Sequence, residues 1–241
     1  MPRFLHIAAS RFERLSPAAT KIFCTKEWTH LGEGPINWAN EIREQFQFGQ
    51  YRNGLRLLLA SIYRRYRPRY SPEALEKMYA SCDFQEFFFK AGDRLNFADE
   101  EFSFIVSEHF FEHLFLDDAI ALLRECQRVL KPGGVIRTCV PDADLRTYEP
   151  PERPAYPSTR VPWSHHQKHR SRWSIYSFSE VLRLTGFHPR GVIYCDRDGN
   201  FIQEVPSPQV SEYPLQETHG LVATTEYLRR LPSLVVDGIK R

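Results

Sequence analysis

Hydrophobic positions fall into two alternating rhythms along this chain. Short apolar runs of strand length occur at "RFLHIAA" (3–9), "EFFFKAGD" (86–93), "FSFIVS" (102–107), "VIRTCVPD" (135–142) and "SLVVDGIK" (233–240). "ATKIFCT" (19–25) reads as a further strand near the start. "GVIYCDRDGNFIQEV" (191–205) reads as a hairpin turning at Asp198-Gly199. Between the runs the period changes to that of a helix. In "DDAIALLRECQRVL" (117–130), Ala119, Leu122, Leu123, Cys126, Val129 and Leu130 share one face. Asp117 and Asp118 sit at its positive end, and "KPGG" stops it. "SFSEVLRLTGF" (177–187) has Ser177 and Glu180 at capping-box spacing, with Gly186 as its stop.

Residues 36–82 break the alternation with three consecutive helical patterns, "NEIREQF", "NGLRLLLASIYRRY" and "SPEALEKMYAS". The last begins well, with Ser71 as N-cap, Pro72 at the first helical position and Glu73 in the first turn. The expected architecture is α/β. It is a Rossmann-like, doubly wound, mostly parallel sheet with a C-terminal antiparallel hairpin and strand, carrying a helical insertion at about 36–82. One domain over 1–241 accommodates this, with a Pro- and His-rich loop at about 149–173. In such sheets ligands bind beyond the carboxyl ends of the strands. Ala8 to Ser10, Gly92-Asp93, Ser107 to His109 and Pro141-Asp142 are therefore the positions of interest.

Composition removes several alternatives. A formal net charge of +2 supplies no global field to demand nucleic acid or an anionic membrane. The five cysteines are scattered without a C-x-x-C, which fits reduced thiols and a cytoplasmic location. The opening "MPRFLHIAAS" is too short and polar for a signal peptide, and no apolar run is long enough to span a bilayer.

The ordered segments "AGDRLNFADEEFSFIVSEHFFEHL" and "LLRECQRVLKPGGVIRTCVPD" resemble the second half of a class I S-adenosylmethionine-dependent methyltransferase. The final "SLVVDGIK", after a D-x-x-G-x-F hairpin, resembles a small bacterial subgroup of that superfamily. The resemblance covers about Phe87 to Val140 and continues more weakly to the C-terminus. It implies S-adenosylmethionine as cofactor and O-methylation of a small-molecule or surface-glycan acceptor. It matches Asp93 to the acid that accepts from the adenine amino group, and Arg94 to the residue offering its backbone N–H to the ring. Ser107, Glu108 and His109 match the loop lining the cofactor's methionine end.

The front half departs from the family. Ala8-Ala9-Ser10 stand where a glycine-rich turn belongs, so any position there needing φ > 0 is strained. Glu27 is the candidate for the ribose hydroxyls. "THLGEGP", with Gly32, Glu33 and Gly34, is a second candidate for the glycine turn.

For the acceptor side, His109 is the first candidate base. His165, His166 and His169 follow, in "VPWSHHQKHRSRW" beside Trp163 and Trp173, with Asp142 as a further polar group. A solvated loop with idle histidines is the alternative for that segment. "YRRYRPRY" (63–70) interleaves Arg with aromatics, yet such a run is more often an exposed helix end, and nucleic acid is not the expected partner.

Two competing readings stay open. A non-catalytic relative would keep the fold and bind the cofactor poorly. The stretch His109-Phe-Phe-Glu112-His113 also matches the H-x-x-E-H pattern of zinc peptidases. That pattern needs both histidines on one helix face, whereas "FSFIVS" places His109 at a strand-to-loop junction. No metal is therefore assigned, and Glu112 and His113 read best as a hydrogen-bonded pair fixing the loop.

Overall fold

In the computed structural model, Phe4–Ala9 (β1) lies at the centre of one sheet, parallel to Trp28–Gly32 (β2) on one side and to Phe102–Glu108 (β4) on the other. The structure describes residues 3–9, 12, 15–32, 38–47, 49–66, 69–145, 168–204 and 233–241. Asp83–Glu86 (β3) continues the parallel sheet beyond β2, and Leu130–Pro141 (β5) continues it beyond β4. Ser233–Lys240 (β8) then inserts antiparallel between β5 and Phe187–Cys195 (β6), and Phe201–Gln203 (β7) closes the edge. The spatial order is β3-β2-β1-β4-β5-β8-β6-β7. The chain winds outward from β1 to β3, then restarts on the other side at β4. The reversal puts a topological switch point at the carboxyl ends of β1 and β4, where ligands of open α/β sheets bind.

The two sheet faces bury two cores. Pro17–Phe23 (α1) and Pro72–Ala80 (α4) cover a core of Phe4, Phe12, Phe23, Trp28, Phe104 and Val235. Leu116–Val129 (α5) and Ile175–Leu184 (α6) cover the other, built on Leu5, Ile7, Ile105, Phe111 and Phe178. The helical stripe of α5 is buried as its spacing predicts, at Ala119, Leu122, Leu123, Cys126 and Val129. Trp38–Gln47 (α2) and Tyr51–Tyr66 (α3) pack on each other and leave Tyr51, Leu55, Leu59 and Ile62 exposed.

One core contact joins charges. Arg137 of β5 faces Asp237 of β8 in register. Its Nε and Nη2 each donate to an Asp237 carboxylate oxygen at 2.6 Å, and both side chains are fully buried. Two complementary charges in otherwise apolar strands thus select one antiparallel register, because a slip would leave each charge buried alone.

Three local expectations change. "ATKIFCT" is not a strand: Ser16 caps a helix whose N–H at Ala19 donates to its Oγ at 3.2 Å, and Phe23 ends that helix. The second strand is instead "WTHLG". β3 stops at Glu86, short of Asp93, because its partner β2 ends at Gly32; the Phe87 N–H donates to the Gly32 carbonyl as the last bond of the pairing. The cap of α6 is Ser174, not Ser177. Ser177 sits at the third helical position, and its Oγ accepts from the Ser174 N–H in a reciprocal box. Ser71 caps α4 as expected.

Candidate functional site: the carboxyl rim of the sheet

The tip of β1 is a strained elbow. Ala8 adopts φ +58, the left-handed region favoured by glycine, and the pairing with β2 slips between Ile7 and Ala9. Gly32 ends β2 so close by that a Cβ there would lie 2.4 Å from the Ala9 carbonyl oxygen. Ala8-Ala9 therefore flank the switch point, while Gly32 lies one strand outward. Ser10, Glu33 and Gly34 fall outside the described residues. On the other side, Ser107 of β4 pairs in register with Ile7. Its hydroxyl is buried without a hydrogen-bond partner.

The remaining donor-side candidates scatter. Glu27 precedes β2, where its carbonyl accepts from the Phe4 N–H at the start of β1. That is the amino end of the sheet, the wrong end for a ribose-binding acid, so Glu27 is corrected out of the site. Asp93 is exposed, and its carboxylate accepts from the Lys90 N–H at 2.7 Å within its own turn. The same turn is tied to the start of α5 by the Ala91 N–H donating to Asp118. Arg94 is exposed, lies 3.6 Å from Asp99, and lines an open groove of about 450 Å³ with Leu95, Phe97 and Glu101. That groove precedes β4 in the chain and is not the switch-point crevice.

The acceptor side is denser. Glu108 ends β4, and His109 follows with φ +50, its N–H donating to the Cys139 carbonyl at 2.7 Å. A 3-10 turn, Phe111–His113, comes next. The His109 imidazole lies with Nδ1 3.1 Å from Glu112 Oε1 and Nε2 3.3 Å from Ser233 Oγ, while the Cys139 sulfur is 3.9 Å away. Burial opposes a charge on His109, but the contacts with Cys139 and Glu112 outweigh it and raise its pKa. Ser233 reaches the rim because β8 runs antiparallel and begins where β5 ends, opposite Pro141. The sequence reading missed it, and the signal was available: a final strand pairing antiparallel with β5 must start at its carboxyl end.

His109 and His113 do not share a helix face. His113 turns the other way, with Nδ1 3.3 Å from the Lys168 carbonyl and its ring 4.9 Å from that of His169. The peptidase-like pairing of His109 with His113 is thus absent. His165 and His166 lie outside the described residues. Asp142 is spent on structure: its carboxylate accepts from Cys195 N–H at 2.7 Å and Asp144 N–H at 3.0 Å, pinning β5 to β6. Burial raises its pKa.

A family model described as a methyltransferase domain matches residues 52–138. That match covers about a third of the chain and, with this doubly wound sheet, agrees with the resemblance to class I S-adenosylmethionine-dependent methyltransferases carried by the sequence. That resemblance implies S-adenosylmethionine as cofactor. No curated protein sequence matches the chain. Similar solved structures include a putative methyltransferase from Haloferax volcanii in complex with a methyltransferase activator, at 18% identity, covering 99% of this chain and 82% of that one, with TM-score 0.48. A SAM-dependent methyltransferase from Archaeoglobus fulgidus is 13% identical, with coverage of 99% and 86% and TM-score 0.47. One from Methanosarcina mazei is 16% identical, with coverage of 99% and 92% and TM-score 0.45. No helix among the described residues is long and apolar enough to cross a membrane.

The residues at the switch point fit such a cofactor. The short side chains of Ala8 and Ala9 permit close approach to backbone, and the orphaned Ser107 hydroxyl offers a buried polar partner.

Proposed function

We propose that this protein methylates a hydroxyl of a small-molecule or glycan-type acceptor, with His109 as general base and Glu112 as its positioning residue. The observation that carries this reading is the Glu112–His109 pair at the carboxyl end of β4, beside the switch point. When bound, the cofactor supplies an electrophilic methyl group on a sulfonium. The chain's task is then to hold the acceptor in line and remove its proton. His109 donates from Nδ1 to Glu112 Oε1, which leaves Nε2 to take the proton of the acceptor hydroxyl. Ser233, now 3.3 Å from Nε2, occupies the side from which that hydroxyl would approach. The paired carboxylate stabilises the imidazolium that results. Ala8, Ala9, Asp93, Arg94, Ser107 and Glu108 remain candidate contacts for the cofactor, and His169 a candidate for the acceptor side. The non-catalytic alternative rests on the strained Ala8 elbow alone.

Calorimetry with S-adenosylhomocysteine, followed by methyl transfer to a panel of hydroxylated acceptors, tests the reading. His109→Ala is expected to keep S-adenosylhomocysteine binding while lowering turnover about 10²–10⁴-fold. Because contacts with Cys139 and Glu112 raise the His109 pKa, the neutral imidazole that accepts at Nε2 becomes more populated as pH rises, and turnover should climb from about pH 7 to about pH 9. A flat profile in wild-type protein, or full turnover in His109→Ala, would exclude His109 as base. Absence of cofactor binding in the wild type would favour the non-catalytic reading.

A further inference from the structure

Glu112 has two carboxylate oxygens, and only one is used by His109. The other, Oε2, is buried and has no hydrogen-bond partner, in a side chain that is 2% exposed. A buried carboxylate oxygen left without a donor is costly, so a hydrogen-bond donor or a cation placed against it would be stabilising. Two imidazoles stand beside it. Ligand atoms from Glu112, His113 and His169 all lie within 4.8 Å of one another.

We propose that Glu112, His113 and His169 form a binding site for one divalent transition-metal ion of the zinc class. Two imidazoles and a carboxylate favour a borderline cation over magnesium or calcium, which prefer all-oxygen shells. Three protein ligands leave a fourth position open, as in zinc sites that bind water or substrate. The supporting contacts suit this role. His113 Nδ1 donates to the Lys168 carbonyl at 3.3 Å, which orients the ring and places its lone pair on Nε2. Glu112 is held from both sides, by His109 at its other oxygen and by the Arg170 and Ser171 N–H groups donating to its backbone carbonyl at 2.7 and 3.2 Å. The nearby Arg170 guanidinium is engaged with the His113 carbonyl and lies over the Phe115 ring, 5.3 Å from its centroid. A bound ion would tie the turn after β4 to the segment entering α6, and would do so whether or not the chain transfers a methyl group.

The site differs from the peptidase pattern noted in the sequence. That pattern uses two histidines four apart on one helix and leaves the glutamate unligated. Here the first of those histidines is excluded, the glutamate is a ligand, and the third ligand comes from 56 residues further along the chain (169 − 113 = 56).

Chelator-treated full-length protein should be titrated with Zn²⁺ against a competing chromophoric chelator, and separately with Co²⁺ followed by visible absorption. One ion per chain is expected, with the intense d–d bands of low-coordinate Co²⁺, and a Tm increase that grows with Zn²⁺ but not with Mg²⁺. Glu112→Gln and His169→Asn are each expected to weaken Zn²⁺ binding at least 100-fold, while His109→Ala should weaken it far less. Far-ultraviolet circular dichroism and urea unfolding establish that each variant is folded, and the Co²⁺ spectrum of His113→Gln supplies a further readout if one is not. The proposal is overturned if wild-type protein binds no stoichiometric Zn²⁺, or if folded Glu112→Gln and His169→Asn bind it as wild type does.

Discussion

The two halves of the carboxyl rim are built on different principles. At the tips of β1 and β2 the features are of backbone: a left-handed Ala8, a register slip, and a Gly32 with no room for a side chain. At the tips of β4, β5 and β8 they are of side chains: His109, Glu112, His113, His169 and Ser233 within one polar network. A fixed donor needs a shaped surface, and a variable acceptor needs specific polar groups. On the proposed function the first half holds the donor and the second the acceptor, so the donor half should be the more tolerant of sequence drift so long as side chains stay small. The acceptor half is where substitutions should change chemistry.

The strongest way to break that comparison is to remove what holds the acceptor half in register. Arg137→Ala leaves Asp237 charged and fully buried, and should cost about 3–5 kcal/mol in urea unfolding. The double variant Arg137→Met, Asp237→Leu should recover part of that loss, because the buried carboxylate leaves with its donor, although Arg190, in register with Asp237 on β6, then loses that neighbour. A double variant no more stable than Arg137→Ala would show that the pair does more than satisfy itself.

The donor half carries a pH-sensitive element beneath its tips. His6 and His30 sit on adjacent strands, paired in register, with rings 5.4 Å apart. Burial lowers both pKa values, that of His30 to about 4. Each folded-state pKa lies below its unfolded value, so the unfolded chain binds more protons between them. Stability should thus be full above about pH 6.5 and fall as pH drops toward 4, at a limiting slope of about 1.4 kcal/mol per pH unit for each proton. His6→Phe, which keeps the stack on Phe23 at 4.5 Å, should shallow this slope. His169 on the acceptor side is lowered to about 4 as well, again by burial, so some slope must survive in His6→Phe. An unchanged slope would mean that His6 titrates normally.

Next in size is Gly32→Ala. Its Cβ would meet a backbone oxygen, which cannot rotate aside, so β1 and β2 must part at the rim. The expected loss is about 1–3 kcal/mol, with weaker S-adenosylhomocysteine binding. A loss of stability with unchanged binding would separate the β2 tip from the donor site.

How far the rim could be read in the sequence follows the same division. Strand and helix periods announced β1, β4, α5, β5 and the final β8, because each buries an apolar stripe of unambiguous spacing. The "ATKIFCT" segment misled because four apolar residues next to a Ser-Pro cap suit a short helix as well as a strand, and the cap decided it. Glu27 misled for the same reason: with the second strand misplaced, its two ends were exchanged. Ala8's strain was legible, since only glycine takes that conformation freely and the position is not glycine. The Glu112–His113–His169 group was not, because a 3-10 turn and a segment beyond the β5 loop meet only in three dimensions. The Arg137–Asp237 pair likewise required the β5–β8 register.

The smallest effect is the most direct probe of the donor elbow. Ala8→Gly removes a Cβ from a left-handed backbone, which should relieve roughly 1–2 kcal/mol of steric cost. Glycine gives back about 0.5–1 kcal/mol through its freer unfolded chain. The net expectation is a gain below about 1 kcal/mol, visible as a rise in Tm of a few degrees at most. Because the elbow's shape is kept, S-adenosylhomocysteine affinity should stay level or improve. Ala8→Val should do the reverse on both counts, since a β-branched residue suits the left-handed region least and its added bulk would face the switch point. If glycine stabilised the fold yet abolished binding, the elbow would owe its function to alanine's methyl group rather than to its backbone. The division of the rim into a half of shape and a half of side chains would then fail at its first residue.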